Sequence, residues 1–153
     1  MIGAGCDLHT EVERKTRFLM AGIVPGRTAG ESVGVRLAMF SPLPAGARVS
    51  VTHDNGAGFA RHTRLRDGLG MDTYFADPYS SRRRGSNENR NGMIRRYLPK
   101  RSEIQMVMAG ELREIVDEAD NRPMRVLDYR TPAEAFADEL LELQDQQGCC
   151  TSK

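Results

Sequence analysis

Two carboxylates of the sequence are placed where an acid pair could hold a metal ion. Asp54 follows the β-branched segment 48–53, and Glu88 lies in the first turn of a predicted helix. Open α/β sheets place their sites at the carboxyl ends of strands, so we expect Asp54 to project there. The 33 residues between the acids are enough for a helix and a strand that return Glu88 to this edge. Such oxygen ligands suit Mg²⁺ or Mn²⁺, which catalyse phosphoryl transfer on nucleic acids.

A purely structural explanation of both acids is open at this point. Asp54-Asn55-Gly56 is a frequent tight-turn sequence, because Asn and Gly tolerate positive φ. A glutamate in the first turn of a helix interacts favourably with the helix dipole. The spacing of the two residues therefore allows either a metal site or ordinary turn and helix chemistry.

Charge is unevenly distributed along the 153 residues, although the formal net charge is only +1. Residues 61–101 hold eleven basic and four acidic residues, whereas residues 102–148 hold four basic and twelve acidic ones. Nineteen of the 22 basic residues are Arg, whose planar fork suits bidentate phosphate contacts. A GC-rich codon bias explains the use of Arg but not its clustering. The basic segment indicates a nucleic-acid partner, and the acidic helices after residue 102 are interpreted as a solvated face.

The hydrophobic pattern predicts short strands at the front of the chain and helices behind them. Strands are expected at 10–24 (two strands or one bent strand), 48–53 and 71–75. Helices are expected at 28–41, 59–69, 87–97, 112–119 and from 131 onward. The last has the clearest start, with Thr131 as N-cap, Pro132 at the first position and Glu134 closing a capping box. This order describes an α/β domain with a helical C-terminal extension.

Six groups of residues occur in a fixed order along the chain. They are VTHDNGAGFA at 51–60, YFADPYS at 74–80, RGSNENRNG at 84–92, YLPK at 97–100, NRP at 121–123 and LDYRTPAE at 127–134. In this order they closely resemble the catalytic region of bacterial insertion-sequence transposases of the IS30 family, members of the retroviral-integrase-like DDE group. The resemblance runs from about Thr10 to Ala137 and takes in ERKTR at 13–17.

The resemblance implies a ribonuclease-H-like fold, the integrase catalytic core, with a mixed sheet flanked by helices. It implies DNA strand cleavage followed by strand transfer, that is, transposition and DNA integration by recombination. Asp54 matches the second catalytic Asp and Glu88 the catalytic Glu, which together would bind Mg²⁺ or Mn²⁺. The residues expected to contact DNA are Arg82, Arg83, Arg84, Asn87, Asn91 and Arg95. The expected partners are the element ends and target DNA, with a homo-oligomer for the full-length protein.

The chain departs from the family pattern in three places. The family's first catalytic Asp lies in a strand upstream of ERKTR, so its match would precede Met1, and Asp7 is expected in the following turn. The family's Lys-Glu is replaced by Ala57-Gly58, and its Pro-Trp-Gln by Ser81-Arg82-Arg83, whose charges can contact phosphates instead. We therefore expect a first strand that is largely missing. This means an N-terminally truncated copy or a start codon assigned too late, with activity of the chain alone left open.

The predicted organisation is one domain in three parts. These parts are an integrase-like core at 1–100, incomplete at its N-terminus, a helical extension at 101–147 and a disordered tail at 148–153. No apolar run is long enough to span a bilayer and no secretory signal is visible, so a bacterial cytoplasmic, nucleoid-associated protein is expected. Two other functions stay open: a non-catalytic DNA-binding fragment, and a metal-dependent nuclease of the same fold.

Overall fold

The chain begins with an antiparallel β-hairpin. A computed structural model describes residues 6–26, 28–53, 63–75, 85–99 and 104–149. Within it, β1 (Asp7–Val12) pairs with β2 (Leu19–Val24) in a register that sets Thr10 opposite Ala21. This confirms two strands over 10–24. The expectation that Asp7 lies in a turn is wrong, because the hairpin pairing extends far enough to set Asp7 opposite Val24.

The second strand pair is parallel. β3 (Ser50–His53) and β4 (Asp72–Phe75) are aligned with Val51 opposite Thr73. The predicted strand at 48–53 begins two residues late, because residues 45–47 form a 3₁₀ turn and the Arg48 N–H donates to the Ala45 carbonyl at 3.1 Å. Within the described residues the two pairs form separate two-stranded sheets, so both kinds of pairing occur there but not the single mixed sheet that was expected.

Five α-helices occur in the described residues, and all five were predicted. They are α1 (Ala29–Phe40), α2 (Thr63–Leu69), α3 (Gly85–Tyr97), α4 (Ala109–Asp120) and α5 (Pro132–Cys149). None of them is long and apolar enough to cross a lipid bilayer. α3 begins two residues before the predicted start, so Gly85 and Ser86 are helical. α5 runs through Cys149, so the tail predicted from residue 148 starts too early, and residues 150–153 lie outside the described part.

The predicted capping box of α5 is present, and α1 begins with the same arrangement. In α5 the Glu134 backbone N–H donates to Thr131 Oγ1 at 3.2 Å, and Thr131 N–H donates to Glu134 Oε2 at 2.9 Å. The bonds from Thr131 hold the pKa of Glu134 below its usual value. α1 carries the same reciprocal arrangement between Thr28 and Glu31. These helices therefore begin where local sequence satisfies the first free N–H groups.

The buried apolar side chains form two clusters that share the hairpin. One joins the hairpin to α3 and α4 and contains Leu19, Ile23, Ile94, Leu98, Leu112 and Ala119. The other joins α1, α2 and β3 and contains Phe40, Val51, Leu65 and Met71. α1 lies so close to β2 that a Cβ at Gly22 would meet Val35 Cγ1 at 2.7 Å. The hairpin is therefore the element against which the helices on both sides are packed.

α5 is attached to the hairpin turn by an aromatic stack. The rings of Phe18 and Phe136 lie with centroids 4.3 Å apart and an interplanar angle of 7°, and Phe136 is buried. We expect Phe136→Ala to lower the free energy of unfolding by about 3 kcal/mol, the range for a large buried ring. Leu141→Ala, at an exposed position of the same helix, is the control and should change it by less than about 0.5 kcal/mol. If urea unfolding shows that both variants lose the same free energy of unfolding, then α5 is not held by this stack.

Candidate functional site

Glu88 lies in the first turn of α3, as the sequence predicts. Its side chain is exposed, and it makes no hydrogen bond or ion pair with another described residue. Such a carboxylate has the donor chemistry that fits a hard divalent cation. The described residues contain no group of three or more Asp, Glu, His or Cys that could hold a metal ion. A metal ion bound by Glu88 would therefore need its other ligands from other parts of the chain, from DNA or from water.

Several predicted site residues lie outside the described part of the chain. They are Asp54, Arg82, Arg83 and Arg84. β3 ends at His53, directly before Asp54, so the predicted strand that leads to Asp54 is present. The pairing of Asp54 with Glu88 and its distance are not described, and the metal site stays a prediction.

The other predicted residues of α3 lie on the helix as expected. Asn87 is helical in its backbone, and Arg95 is exposed in the last turn. Asn91 is half-buried, and its Oδ1 accepts a hydrogen bond of 2.7 Å from Thr10 Oγ1 in the middle of β1. Asn91 therefore joins α3 to the hairpin, and whether it also contacts DNA stays a prediction.

Arg90, two residues after Glu88, is buried among backbone acceptors. Its side chain is 2% exposed. Nε and Nη2 donate to the Arg17 carbonyl at 3.0 and 2.7 Å, and Nη1 donates to the Ala119 carbonyl at 2.9 Å. Nη2 also pairs with Asp120 Oδ1 at 2.7 Å. We call these four residues the Arg90 network. It connects α3, the hairpin turn and the end of α4.

Asp120 completes the network from the other side. Both of its carboxylate oxygens accept from the Leu19 N–H, at 3.1 and 3.2 Å. Burial raises the pKa of Asp120 to about 6, although the charge of Arg90 acts in the opposite direction. Burial likewise lowers the pKa of Arg90. Burying either charge alone would cost free energy. Each side chain offsets part of this cost for the other through their shared hydrogen bond.

The structure corrects two interpretations of the charge pattern. Arg90 was counted in the basic segment that faces nucleic acid, and Asp120 on the solvated acidic face, but both are buried. Tyr97 fits the apolar face of α3 by its spacing, but it is half exposed and its hydroxyl bonds to Glu118 at 2.8 Å. Ile94 and Leu98, which the apolar pattern places on the inner face of α3, are buried, and Arg90 extends this face at four-residue spacing. That spacing is the signal in the sequence that would have identified Arg90 as an inward-facing residue.

The ERKTR motif at 13–17 forms the turn that receives Arg90. Glu13 Oε2 accepts from the N–H and the Oγ1 of Thr16 at 2.5 and 2.6 Å, and Thr16 is 2% exposed. Arg17 has φ of 64°, a left-handed conformation that few non-glycine residues adopt. The motif therefore shapes a strained turn, and the strain is offset by the bonds of Glu13 and Arg90.

A second buried arginine connects β1 to α1. Arg36 is fully buried, and its Nε donates to His9 Nε2 at 2.9 Å while Glu11 lies 3.8 Å away. His9 Nε2 is also 2.8 Å from Glu11 Oε1. Burial lowers the pKa of Arg36 to about 10, and Glu11 acts against this shift. His9 is thus a partly buried residue that joins β1 to α1.

The pKa of Asp120 predicts a pH-dependent stability. The folded value of about 6 lies above the ordinary value of 3.8, so between these values folding takes up a proton. The stabilisation from this group is complete below the unfolded pKa and is lost as the pH rises through the folded one. From about pH 4 to pH 7 this group should lower the free energy of unfolding by about 2–3 kcal/mol, at roughly 1.4 kcal/mol per pKa unit.

Asp120→Asn is the control for this pH effect, because the amide does not titrate. Both proteins are unfolded with urea across the same pH range. The free energy of unfolding should decrease more with rising pH for the wild type than for the variant. Parallel curves for the two proteins would contradict the raised pKa.

Solved retroviral integrase cores have the same fold as this chain. The catalytic core domain of BIV integrase matches with a TM-score of 0.66 and 18% identity, over 93% of this chain and 90% of that one. A chain of the simian T-cell lymphotropic virus intasome, solved with the PP2A regulatory subunit B56 gamma, also matches with a TM-score of 0.66, at 19% identity. It covers 85% of this chain and 48% of the intasome chain. The protein therefore has the ribonuclease-H-like fold of integrase catalytic cores, as predicted.

Several curated transposases are similar to this chain, although no protein-family model matches it. The transposase of IS1086 from Cupriavidus metallidurans is 33% identical over 135 residues, and the transposase InsI of IS30A from Escherichia coli K12 is 38% identical over 130. The transposase of IS4351 from Bacteroides fragilis is 41% identical over 87. The chain is therefore related to the IS30-family insertion-sequence transposases, and the resemblance of its motifs is confirmed.

The relationship covers most of this chain but a smaller part of its relatives. The matches to the IS1086 and IS30A transposases span 88% and 83% of this chain, but 40% and 33% of those proteins. The match to the IS4351 transposase spans 57% of this chain and 27% of that protein. The chain thus spans less than half the length of these relatives, and the expectation of a missing first strand stays a prediction.

Proposed function

We propose that this chain provides the catalytic region of a DNA transposase, which cuts DNA strands at the element ends and transfers them to target DNA. The observation that carries the proposal is the sequence relationship to IS30-family transposases, over more than four fifths of the chain for two of them. The integrase-core fold supports it, since one of the structural neighbours is part of an intasome. DNA is thus the proposed substrate and partner.

Asp54 and Glu88 are the proposed metal-binding carboxylates. The end of β3 at His53 and the exposure of Glu88 in the first turn of α3 support this assignment. A bound Mg²⁺ or Mn²⁺ ion would polarise a phosphate oxygen and favour deprotonation of the attacking group. The role of the two side chains is to hold the ion at the DNA strand.

The proposed DNA contacts come from the basic segment and α3. Arg95 and Arg96 are exposed in the last turn of α3, and Arg64 and Arg66 are exposed on α2. The remaining proposed contacts are Arg82, Arg83, Arg84, Asn87 and Asn91. Contacts of this kind fix the position of DNA but do not read its sequence. A homo-oligomer of the full-length protein and association with the bacterial nucleoid in the cytoplasm belong to the same proposal.

A DNA-joining assay tests this function and separates it from its alternatives. The purified chain is incubated with Mg²⁺ or Mn²⁺, end-labelled DNA that flanks its gene, and an unlabelled supercoiled plasmid. Labelled strands covalently joined to the plasmid would support a transposase. Nicked DNA without joining would favour a metal-dependent nuclease, and retarded but uncut DNA would favour a non-catalytic DNA-binding fragment. Either of the latter results would contradict the proposal.

A further inference from the structure

We propose that Arg90 is a positioning residue that holds α3 so that Glu88 stays at its place in the site. This inference rests on the proposed role of Glu88 as a metal ligand. It gives a role to the bonds of Arg90 with Asp120 and with the ERKTR turn. Neither metal binding nor DNA contact explains these bonds.

Glu88 and Arg90 lie on opposite sides of α3. Two residues correspond to roughly 200° of rotation about a helix axis, and accordingly Glu88 is exposed while Arg90 is 1% exposed. A bond that fixes Arg90 therefore fixes the direction in which Glu88 projects. Rotation of α3 about its axis would pull the guanidinium away from all of its acceptors.

The acceptors of Arg90 are themselves held rigidly. The Arg17 carbonyl belongs to a turn closed by Glu13, whose backbone accepts from Arg17 N–H at 2.9 Å and donates to Phe18 O at 2.8 Å. The Ala119 carbonyl and Asp120 form the end of α4, where the helix dipole favours a cation. Arg90 therefore bonds to the hairpin turn and to the end of α4, and both of these elements adjoin β2.

Asn91 provides a second attachment on a different side of the helix. Its bond to Thr10 connects α3 to β1, whereas Arg90 connects α3 to the hairpin turn and α4. One attachment leaves a helix free to pivot, but two attachments at adjacent residues prevent both rotation and sliding. Lysine could not replace Arg90, because only the planar fork can reach two carbonyls and a carboxylate at once.

Mn²⁺ affinity, measured by titration calorimetry, tests the positioning role. We expect Arg90→Met and Arg90→Lys each to weaken Mn²⁺ binding by about 10-fold or more, the usual effect of losing a residue that orients a metal ligand. If Arg90→Met is too unstable to study, it is combined with Asp120→Asn. The second change should restore folding, because it removes the carboxylate charge that has lost its partner and keeps an oxygen that accepts from the Leu19 N–H. Measurements are made at a temperature where each variant is folded by circular dichroism.

Two matched controls separate positioning from charge and from stability. Arg113→Met removes an exposed arginine from α4, and Val33→Ala removes buried apolar volume from α1, which contributes no residue to the Arg90 network. Both should leave Mn²⁺ affinity within about twofold of the wild type, since neither contacts the Arg90 network. Amide hydrogen exchange gives a second readout that does not depend on metal. Arg90→Met should speed exchange in residues 88–95 about 10-fold while α5 keeps its wild-type rates.

The outcomes distinguish this inference from the proposed function. If Arg90→Met and Val33→Ala weaken Mn²⁺ binding equally, or if exchange in α3 is unchanged, the positioning role is wrong even though Glu88 binds metal. If the wild type binds no Mn²⁺ through Glu88, the proposed metal site is wrong, and faster exchange confined to α3 would still support its attachment by Arg90.

Discussion

Glu88→Gln and Asp54→Asn should each reduce metal-dependent DNA strand cleavage by about 10³-fold, because the charge stabilisation from a bound ion is worth several kcal/mol and about 1.4 kcal/mol corresponds to tenfold in rate. The substitutions keep the size and hydrogen-bonding ability of the side chains but remove the negative charges that attract the ion. Cleavage of end-labelled DNA under single-turnover conditions measures the effect directly. DNA binding without metal should change little, since neither acid is proposed to contact phosphate.

Glu111→Gln is the matched control for Glu88→Gln. Glu111 is also an exposed glutamate in the first turn of a helix, α4, so the substitution removes the same charge from the same kind of position. Cleavage should stay within about twofold of the wild-type rate, as for a surface change away from the site. Retention of cleavage by Glu88→Gln, or an equal loss in Glu111→Gln, would refute the assignment of Glu88.

Asp120→Ala should lower the free energy of unfolding by about 3–5 kcal/mol, the cost of leaving a buried charge without its partner. The variant leaves Arg90 charged and the Leu19 N–H without its acceptor. Asp120→Asn should cost far less than Asp120→Ala, because the amide oxygen still accepts both hydrogen bonds and the amide carries no buried charge, whose burial raises the pKa of Asp120. Urea unfolding at neutral pH provides the measurement.

A double-mutant cycle shows how much of that loss belongs to the pair. Arg90→Met combined with Asp120→Leu should be more stable than the sum of the single losses predicts, by about 1–3 kcal/mol. Asp117→Ala, at an exposed position one turn earlier in α4, is the control and should change stability by less than about 0.5 kcal/mol. Additive losses in the cycle would mean that Arg90 and Asp120 do not stabilise each other.

The elements that sequence predicts well are those determined by their own residues. The start of α5 could be predicted because Thr131 and Glu134 satisfy each other's backbone within one turn. The left-handed Gly70, with φ of 68°, ends α2 where the pattern places its end. Helix bounds of this kind depend on contacts between near neighbours, so the local sequence contains the information.

The burial of charged residues could not be predicted in the same way. Arg90 contacts Arg17 across 73 residues and Asp120 across 30, and an arginine in a basic run looks like a surface residue until the hairpin turn is placed. Tyr97 fits the apolar stripe by spacing, yet the packing of α3 leaves it half exposed. These outcomes are decided by tertiary contacts, which a linear pattern does not contain.

The candidate site was predicted at the level of elements. The sequence predicts a strand that leads to Asp54 and a helix that begins near Glu88, and both are present. It also suggested Asn91 as a DNA contact, whereas the structure shows that its side chain bonds to Thr10. The metal assignment came from the family resemblance, because a carboxylate in a turn and one in a first helical turn are also ordinary structural features.

Paramagnetic broadening by Mn²⁺ tests the central claim most directly. If Asp54 and Glu88 share one metal ion, addition of Mn²⁺ should broaden the backbone amide signals of residues around 54 and around 88 together, and Glu88→Gln should abolish both effects. The effect should not depend on DNA. Broadening confined to one of the two segments, or undiminished in Glu88→Gln, would contradict a shared metal site and with it the proposed catalytic centre.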